Sequence, residues 1–294
     1  MQNRQGSPAA GSAHAAHTRS SVDFALELRG TQLKGRTRAH HQRNLSVTLL
    51  KRKQCEQAEQ PARKRSRHND AKTASPTETA PWCHSKLHLT EVHRTDIINI
   101  KMLDDEVIGA FQMLLQEAFP DISGWQAPAL AVHKELGYIQ RTGLSVQIHN
   151  NLSSHWLTSA RTRAGIFVAD SLLTSPNPAI ARQLVDIYCY DNQSFIDVTF
   201  LSCQRQIGSL QCGDFSIFNA SIFAMCIDAK SSQLERLFSS AHFDQGAMRD
   251  HMLECLKAGQ FLSPLQLSST PRVVLLQPTT YRIDCFSLTW TTLQ

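Results

Sequence analysis

The spacing of apolar residues changes character near Asp96. Over about the first 90 positions, which are rich in Ala, Ser, Gln, Arg and His, apolar side chains follow neither a helical nor a strand period. Too little apolar surface is available there to offset the entropy of ordering. The pattern predicts disorder, with short exceptions at VDFALEL (residues 22–28) and LSVTLL (45–50). Beyond Asp96 the segment LDDEVIGAFQMLLQEAFP carries Val107, Ile108, Phe111, Leu114, Leu115 and Phe119 on a helical repeat. Acidic residues lie in its first turn and Pro120 acts as a stop, so an amphipathic helix is expected. GLSVQIHNN alternates Leu144, Val146 and Ile148 as a strand does.

HWLTSA and GIFVADSL read as neighbouring strands joined around Arg161 to Ala164, PAIARQLVDIYCY as a helix, and FIDVTFLSC as a further strand. After Cys212, the residues Phe215, Phe218, Ile222, Phe223 and Cys226 recur at helical spacing. A last helix is expected in DQGAMRDHMLECLKAG, with Asp244 as its cap and Gly259 as its stop. Helices and strands mix without regular βαβ repetition or internal repeats, which predicts an α+β fold.

Charge divides the chain in the same place. Residues 1–80 hold fifteen Lys/Arg against six Asp/Glu, whereas residues 81–294 hold fifteen against nineteen. The overall charge of +5 therefore belongs to the tail. KRK at 51–53 and RKRSR at 63–67, nine residues apart, suit a bipartite nuclear-import signal, or weak attraction to nucleic-acid phosphate; a merely solvated charge run is the plain alternative. The expected division is a disordered basic tail over 1–92 and a folded domain over 93–294, in the nucleus or otherwise the cytoplasm. No window approaches the roughly 18 apolar residues that span a bilayer, so a soluble chain without membrane contact is expected. The eight cysteines are spread through a chain too long to need disulfide staples, which points to reduced thiols.

One of those thiols stands in a suggestive place. In QIGSLQCGDFSIF, Cys212 opens a helix-like run, and a helix N-terminus near an imidazole favours the thiolate. Gly213 has no side chain, so a substrate carbonyl could approach backbone N–H groups there. His155 follows a strand pattern in NNLSSHWLTSA, and Asp170 ends the next strand, so a hairpin would bring base and orienting carboxylate together. Gln206 could supply a side-chain oxyanion donor beside the Cys212 N–H. Each residue also has an ordinary reading: a buried helix cysteine, a satisfied core histidine, turn or surface polar groups. Cys83, His84, His88 and His93 have no closed-finger spacing, so no metal site is expected. Cys226 and Cys255 fit apolar helix faces.

The ordered set tips the balance. In chain order, His155-Trp156, then Asp170 before Ser171-Leu172, then Gln206-x5-Cys212-Gly213 resembles the SUMO-specific (sentrin-specific) proteases, cysteine peptidases of ubiquitin-like proteins. The resemblance runs from about residue 100 to 260. MLDDEVIGAFQMLL is similar to the family's opening segment, and FDQGAMRDHMLECLKAG resembles versions found in transposon-derived animal proteins.

This resemblance implies a cysteine-protease-like domain whose central mixed sheet is flanked by helices. It implies Cys212 as nucleophile, His155 as general base, Asp170 as its orienter, Gln206 as oxyanion donor, and Trp156 over a channel for a Gly-Gly tail. The implied partners are a ubiquitin-like modifier and its conjugates, and no cofactor is implied. Met102-Leu103 and Gln211 depart from the family's aromatic-Leu pair and pre-cysteine Asp. Two alternatives stand: a protease of a mobile-element or other non-modifier substrate, or a catalytically silent protein- or nucleic-acid-binding relic of the same fold.

Overall fold

The computed structural model describes residues 81–139, 143–172, 177–190, 193–262 and 277–293. The apolar runs and basic clusters of the first 80 residues lie outside these. After a 3-10 turn at Ser85–Leu87, the helices are α1 (Glu91–Ile98), α2 (Asp105–Ala118), α3 (Ala129–His133), α4 (Pro178–Tyr188), α5 (Cys212–Met225), α6 (Ser231–Ser240) and α7 (Gln245–Ala258). The strands are β1 (Ser123–Gly124), β2 (Ser145–Asn150), β3 (Trp156–Thr162), β4 (Gly165–Ala169), β5 (Phe195–Leu201), β6 (Thr279–Asp284) and β7 (Trp290–Leu293).

The seven strands form one sheet in the order β1 to β7. β1–β2 and β4–β5 are parallel and the other four pairs antiparallel, so the sheet is mixed and the fold is α+β. Strand alternation gives the sheet two apolar faces. Trp156, Ala160, Phe167, Ala169 and Leu201 share one core with α2, α5 and α7. Leu157, Val168, Ile196, Val198 and Ile283 share the other with α4, the crossover between β4 and β5.

Several local signals act as expected. Asp104 caps α2 by accepting from Val107 N at 2.9 Å, and Asp244 caps α7 by accepting from Gly246 N at 2.8 Å. Gly259 ends α7 at φ 65°, a left-handed conformation, and a Cβ there would lie 2.5 Å from the His84 ring. The turn of the β3–β4 hairpin falls at Arg163-Ala164, inside the expected joint.

Residues before the expected boundary at 93 already pack with the domain. Cys83 and Leu87 are buried in the first core, and His84 N donates to Leu256 O at 2.8 Å. That short run packs on α7 without enough length to show a period. The β6–β7 hairpin also carries no plain pattern, and α6 has only the short helical signal of Leu234, Leu237 and Phe238. α6 buries only Leu234 and Phe238, and β6 reads TTYRID with Ile283 alone fully buried.

α5 is apolar almost all round, the mark of a helix buried on every side. Its one charged residue is Asp214, fully buried in the first turn, where Arg249 of α7 donates Nε to Oδ2 at 2.7 Å. Arg249 also donates to the carbonyls of Asp96, Ile97 and Lys101, tying the end of α1 to both helices. Burial pushes the Asp214 carboxyl up to about 6, with the Arg249 charge working against that. Because a lone buried carboxylate is costly, Arg249→Leu should destabilise the fold by about 3–5 kcal/mol in urea unfolding, and the Asp214→Leu/Arg249→Leu pair should recover most of it. An Arg249→Leu protein as stable as wild type would show that the ion pair is not what seats α5.

Candidate active site

The β3–β4 register pairs Thr158 with Ala169, so the residues just outside that end of the hairpin, His155 and Asp170, face each other across fifteen positions of sequence. His155 Nε2 lies 2.7 Å from Asp170 Oδ1, which also accepts from Leu172 N at 2.9 Å. Both side chains are buried. Asn151 fastens the loop that delivers the histidine: its Oδ1 accepts from the backbone N–H groups of Ser153, Ser154 and His155 at 3.0–3.1 Å. Asn151 N in turn donates to His155 O at 2.9 Å. The sequence pattern did not single out Asn151; an Asx turn in NNLSS was the available signal.

Cys212 is the first residue of α5, and its Sγ lies 3.8 Å from Ser154 O in that same loop. Gln211 occupies the cap position without a side-chain cap bond, so the first-turn N–H dipoles are left to favour negative charge. Burial alone would lower the His155 pKa. The hydrogen bond to Asp170 and the negative charge of Asp170 and Cys212 outweigh it and raise the imidazole to about 9. His155 Nδ1 has no hydrogen-bond partner among the described residues. With Nε2 committed to Asp170, it is the nitrogen left to serve the thiol.

Other thiols sit differently. Burial pushes Cys203 up to about 12, with the Asp170 charge adding to it, and burial likewise raises Cys83 and Cys255. The buried imidazole of His149 shows what burial does without a carboxylate: it is lowered to about 4. Among the described residues no group of three or more His, Cys, Asp and Glu side chains is arranged to hold a metal ion.

Gln206 lies beside this centre, and its hydrogen bonds go to Ser171 and Gly208 and not to Cys212. Its Oε1 accepts from Ser171 Oγ at 2.7 Å, its Nε2 donates to Gly208 O at 2.9 Å, and its backbone N donates to Ser171 O at 3.0 Å. The loop from Gln206 to Gln211 is held from α7 by Gln245, which accepts from Ile207 N and donates to Gln211 Oε1.

Trp156 is buried and donates Nε1 to Leu103 O at 2.9 Å. It helps to line a groove of about 370 Å³ together with Met102, Leu103, Asp105, Val132 and Ser153. Gly213 does not hold the open approach expected of it. A Cβ there would lie 3.0 Å from Leu103 Cβ and 3.1 Å from Leu103 Cδ1, so the missing side chain makes room for Leu103. Leu103 thus joins the groove, through its carbonyl on Trp156, to the first turn of the Cys212 helix. Cys212 itself has no exposed surface, so any electrophile reaches the sulfur only after the side chains above it yield.

No protein-family model matches the chain, and no curated protein does. It is similar to solved structures. The C-terminal Ulp1 protease domain in complex with Smt3, the yeast ortholog of SUMO, matches with 14% identity over 58% of this chain and 83% of its own, at a TM-score of 0.40. The SUMO protease Ulp1 with its catalytic cysteine oxidised to a sulfonic acid matches with 14% identity over 63% and 90%, at 0.41. A de-sumoylating protease matches with 13% identity over 58% and 86%, at 0.44.

Two outcomes test this geometry. Asp170→Asn removes the charge that holds the imidazolium, so the His155 titration, read by NMR of the ring, should fall from about 9 by about 1–3 pH units. The fold gains from His155 protonation fully below pH 6.5 and loses that gain as pH rises through 9, because the folded pKa is the higher one. Thermal stability should therefore decline over that window in wild type and less in Asp170→Asn; equal declines would separate His155 from Asp170. Gly213→Ala should cost about 1–3 kcal/mol through overpacking, relieved by Leu103→Ala in the same chain. An unshifted melting temperature for Gly213→Ala alone would show that Leu103 is free to move.

Proposed function

We propose that this chain is a cysteine-type peptidase that cleaves after the Gly-Gly tail of a ubiquitin-like modifier, SUMO-like or NEDD8-like. The observation that carries the reading is the meeting of three elements at one point: the uncapped first turn of α5 bearing Cys212, and the hairpin end bearing the bonded pair His155 and Asp170.

An imidazole raised to about 9 is mostly protonated at neutral pH, which makes it a counter-ion for the Cys212 thiolate. The thiolate attacks the carbonyl carbon of the terminal glycine, and the carbonyl π electrons move onto oxygen. The Cys212 N–H, with the free amide hydrogen of Gln206 once substrate is bound, receives that oxyanion. His155 then gives its proton to the departing lysine or peptide amine, and the C–N bond breaks to leave a thioester. Neutral His155 next takes a proton from water, whose oxygen displaces the sulfur and releases the modifier. Trp156 and the groove it lines suit a tail without side chains, since a bulkier residue would have to displace Leu103 or Trp156.

The lack of exposed surface on Cys212 favours a second reading, a binding domain of the same fold that no longer turns over. One experiment separates the two. Wild type and Cys212→Ala are exposed to ubiquitin, SUMO and NEDD8 carrying a C-terminal electrophile. An adduct on wild type alone identifies the nucleophile and the modifier together. Folded wild type that forms no adduct with any of them, and cleaves none of their precursors, refutes the modifier-protease reading.

A further inference from the structure

Ser171 has no part in the chemistry above, yet it stands between its two halves. It follows Asp170 directly, is almost completely buried, and makes two bonds to Gln206. We infer that Ser171 is a positioning residue: Gly208 O selects the orientation of the Gln206 amide, and the Ser171 hydroxyl holds its Oε1 end so that the second Nε2 hydrogen stays directed at the oxyanion. This inference rests on the peptidase reading for its catalytic consequence, and on hydrogen bonding alone for its structural part.

The Gln206 carboxamide has two orientations that differ by a flip. Its oxygen only accepts and its nitrogen only donates, and the two orientations fill the same space. The carbonyl of Gly208 can only accept. Gly208 adopts φ 87°, a conformation that suits glycine and turns this carbonyl back toward Gln206. Nε2 must therefore face Gly208 O, and Oε1 must face Ser171, whose hydroxyl donates to it at 2.7 Å.

With both ends bonded, one Nε2 hydrogen remains without a partner among the described residues, on a side chain only 8% exposed. A buried donor in that state has a reason to exist if charge appears beside it during the reaction. Without the hydroxyl, Oε1 loses its donor, and the amide has one anchor and a rotational choice. Ser171 also carries the backbone carbonyl that receives Gln206 N, so a side-chain change leaves the main-chain link in place.

The test uses the full chain as wild type, Ser171→Ala, Ser171→Thr and Gln206→Ala. Three quantities are read: the Gln206 side-chain amide signals by 15N NMR, assigned by their loss in Gln206→Ala; hydrolysis of the modifier amide named by the electrophile panel; and the rate of Cys212 alkylation by iodoacetamide. Alkylation needs the thiolate and no oxyanion donor, so it reports the Cys-His-Asp arrangement separately.

For Ser171→Ala the expected results are Gln206 amide signals moved from their wild-type positions, kcat lowered about 10- to 100-fold with KM held within about twofold, and alkylation unchanged. Ser171→Thr, which keeps the hydroxyl, should restore both the signals and kcat. Unmoved amide signals in Ser171→Ala would overturn the inference, and so would alkylation falling in step with kcat, because the serine would then act through Asp170. If wild type hydrolyses no modifier amide, the peptidase reading fails, while the amide signals still decide whether Ser171 holds the Gln206 amide.

Discussion

The constraint on which the rest depends is the complete burial of α5. From Cys212 to Ala224 every residue of this helix is buried, packed on β2, β3 and α2. A helix in that position cannot rotate or slide without opening a core at native density, so its N-terminus is fixed against the end of the β3–β4 hairpin. Most of its polar groups are met from within, while Asp214 Oδ1 and Asn219 Nδ2 have no hydrogen-bond partner among the described residues. Thr158 donates to Ser216 O, Ser216 and Ser221 return their hydroxyls to their own helix, and Asp214 meets Arg249. Only the first turn lacks a side-chain cap, and Cys212 is there.

Much of the frame is legible in the sequence because its signals are local. The apolar repeat of α2, the Asp244 cap and Gly259 stop of α7, and the alternation in β2 depend on neighbours within one or two turns of the chain. His155 and Asp170 were within reach of the same reasoning, since two short strands joined by a tight turn must bring their far ends together. What was hidden is what depends on distance in sequence. Leu103 meets Gly213 across more than a hundred positions, so the glycine read as an opening for substrate is a seat for a leucine. Arg249 lies 35 residues from Asp214 and reads locally as one polar position on a helix face. The β6–β7 hairpin closes the sheet edge with Thr, Tyr, Arg and Asp side chains, whose pattern has no strong apolar alternation.

Electrostatics explains how an imidazole and a carboxylate can be buried together here. An isolated histidine in this core titrates low, as His149 does, held between Gln183 and Ser159. His155 meets the same burial and ends on the other side of neutrality because a carboxylate and a thiol both favour its charged form. The ion pair so formed is compact: each charge is the partner that makes the burial of the other tolerable. Asp170 is itself held by Leu172 N, which keeps the carboxylate aimed at the ring.

The same short segment links the two functions a thiol peptidase must separate. Asp170 and Ser171 are consecutive at the end of β4, and their side chains serve opposite neighbours, Asp170 the imidazole and Ser171 the Gln206 amide. A strand end directs successive side chains to opposite sides, so on the proposed peptidase reading one element holds both the proton-handling imidazole and the oxyanion-donating amide. Asp170 and Ser171 follow β4, itself held between β3 and β5, so the sheet fixes the two points to which the loop residues His155 and Gln206 are bonded. The loops add the closing contacts: Asn151 under His155, Gly208 behind Gln206, and Gln245 across from α7.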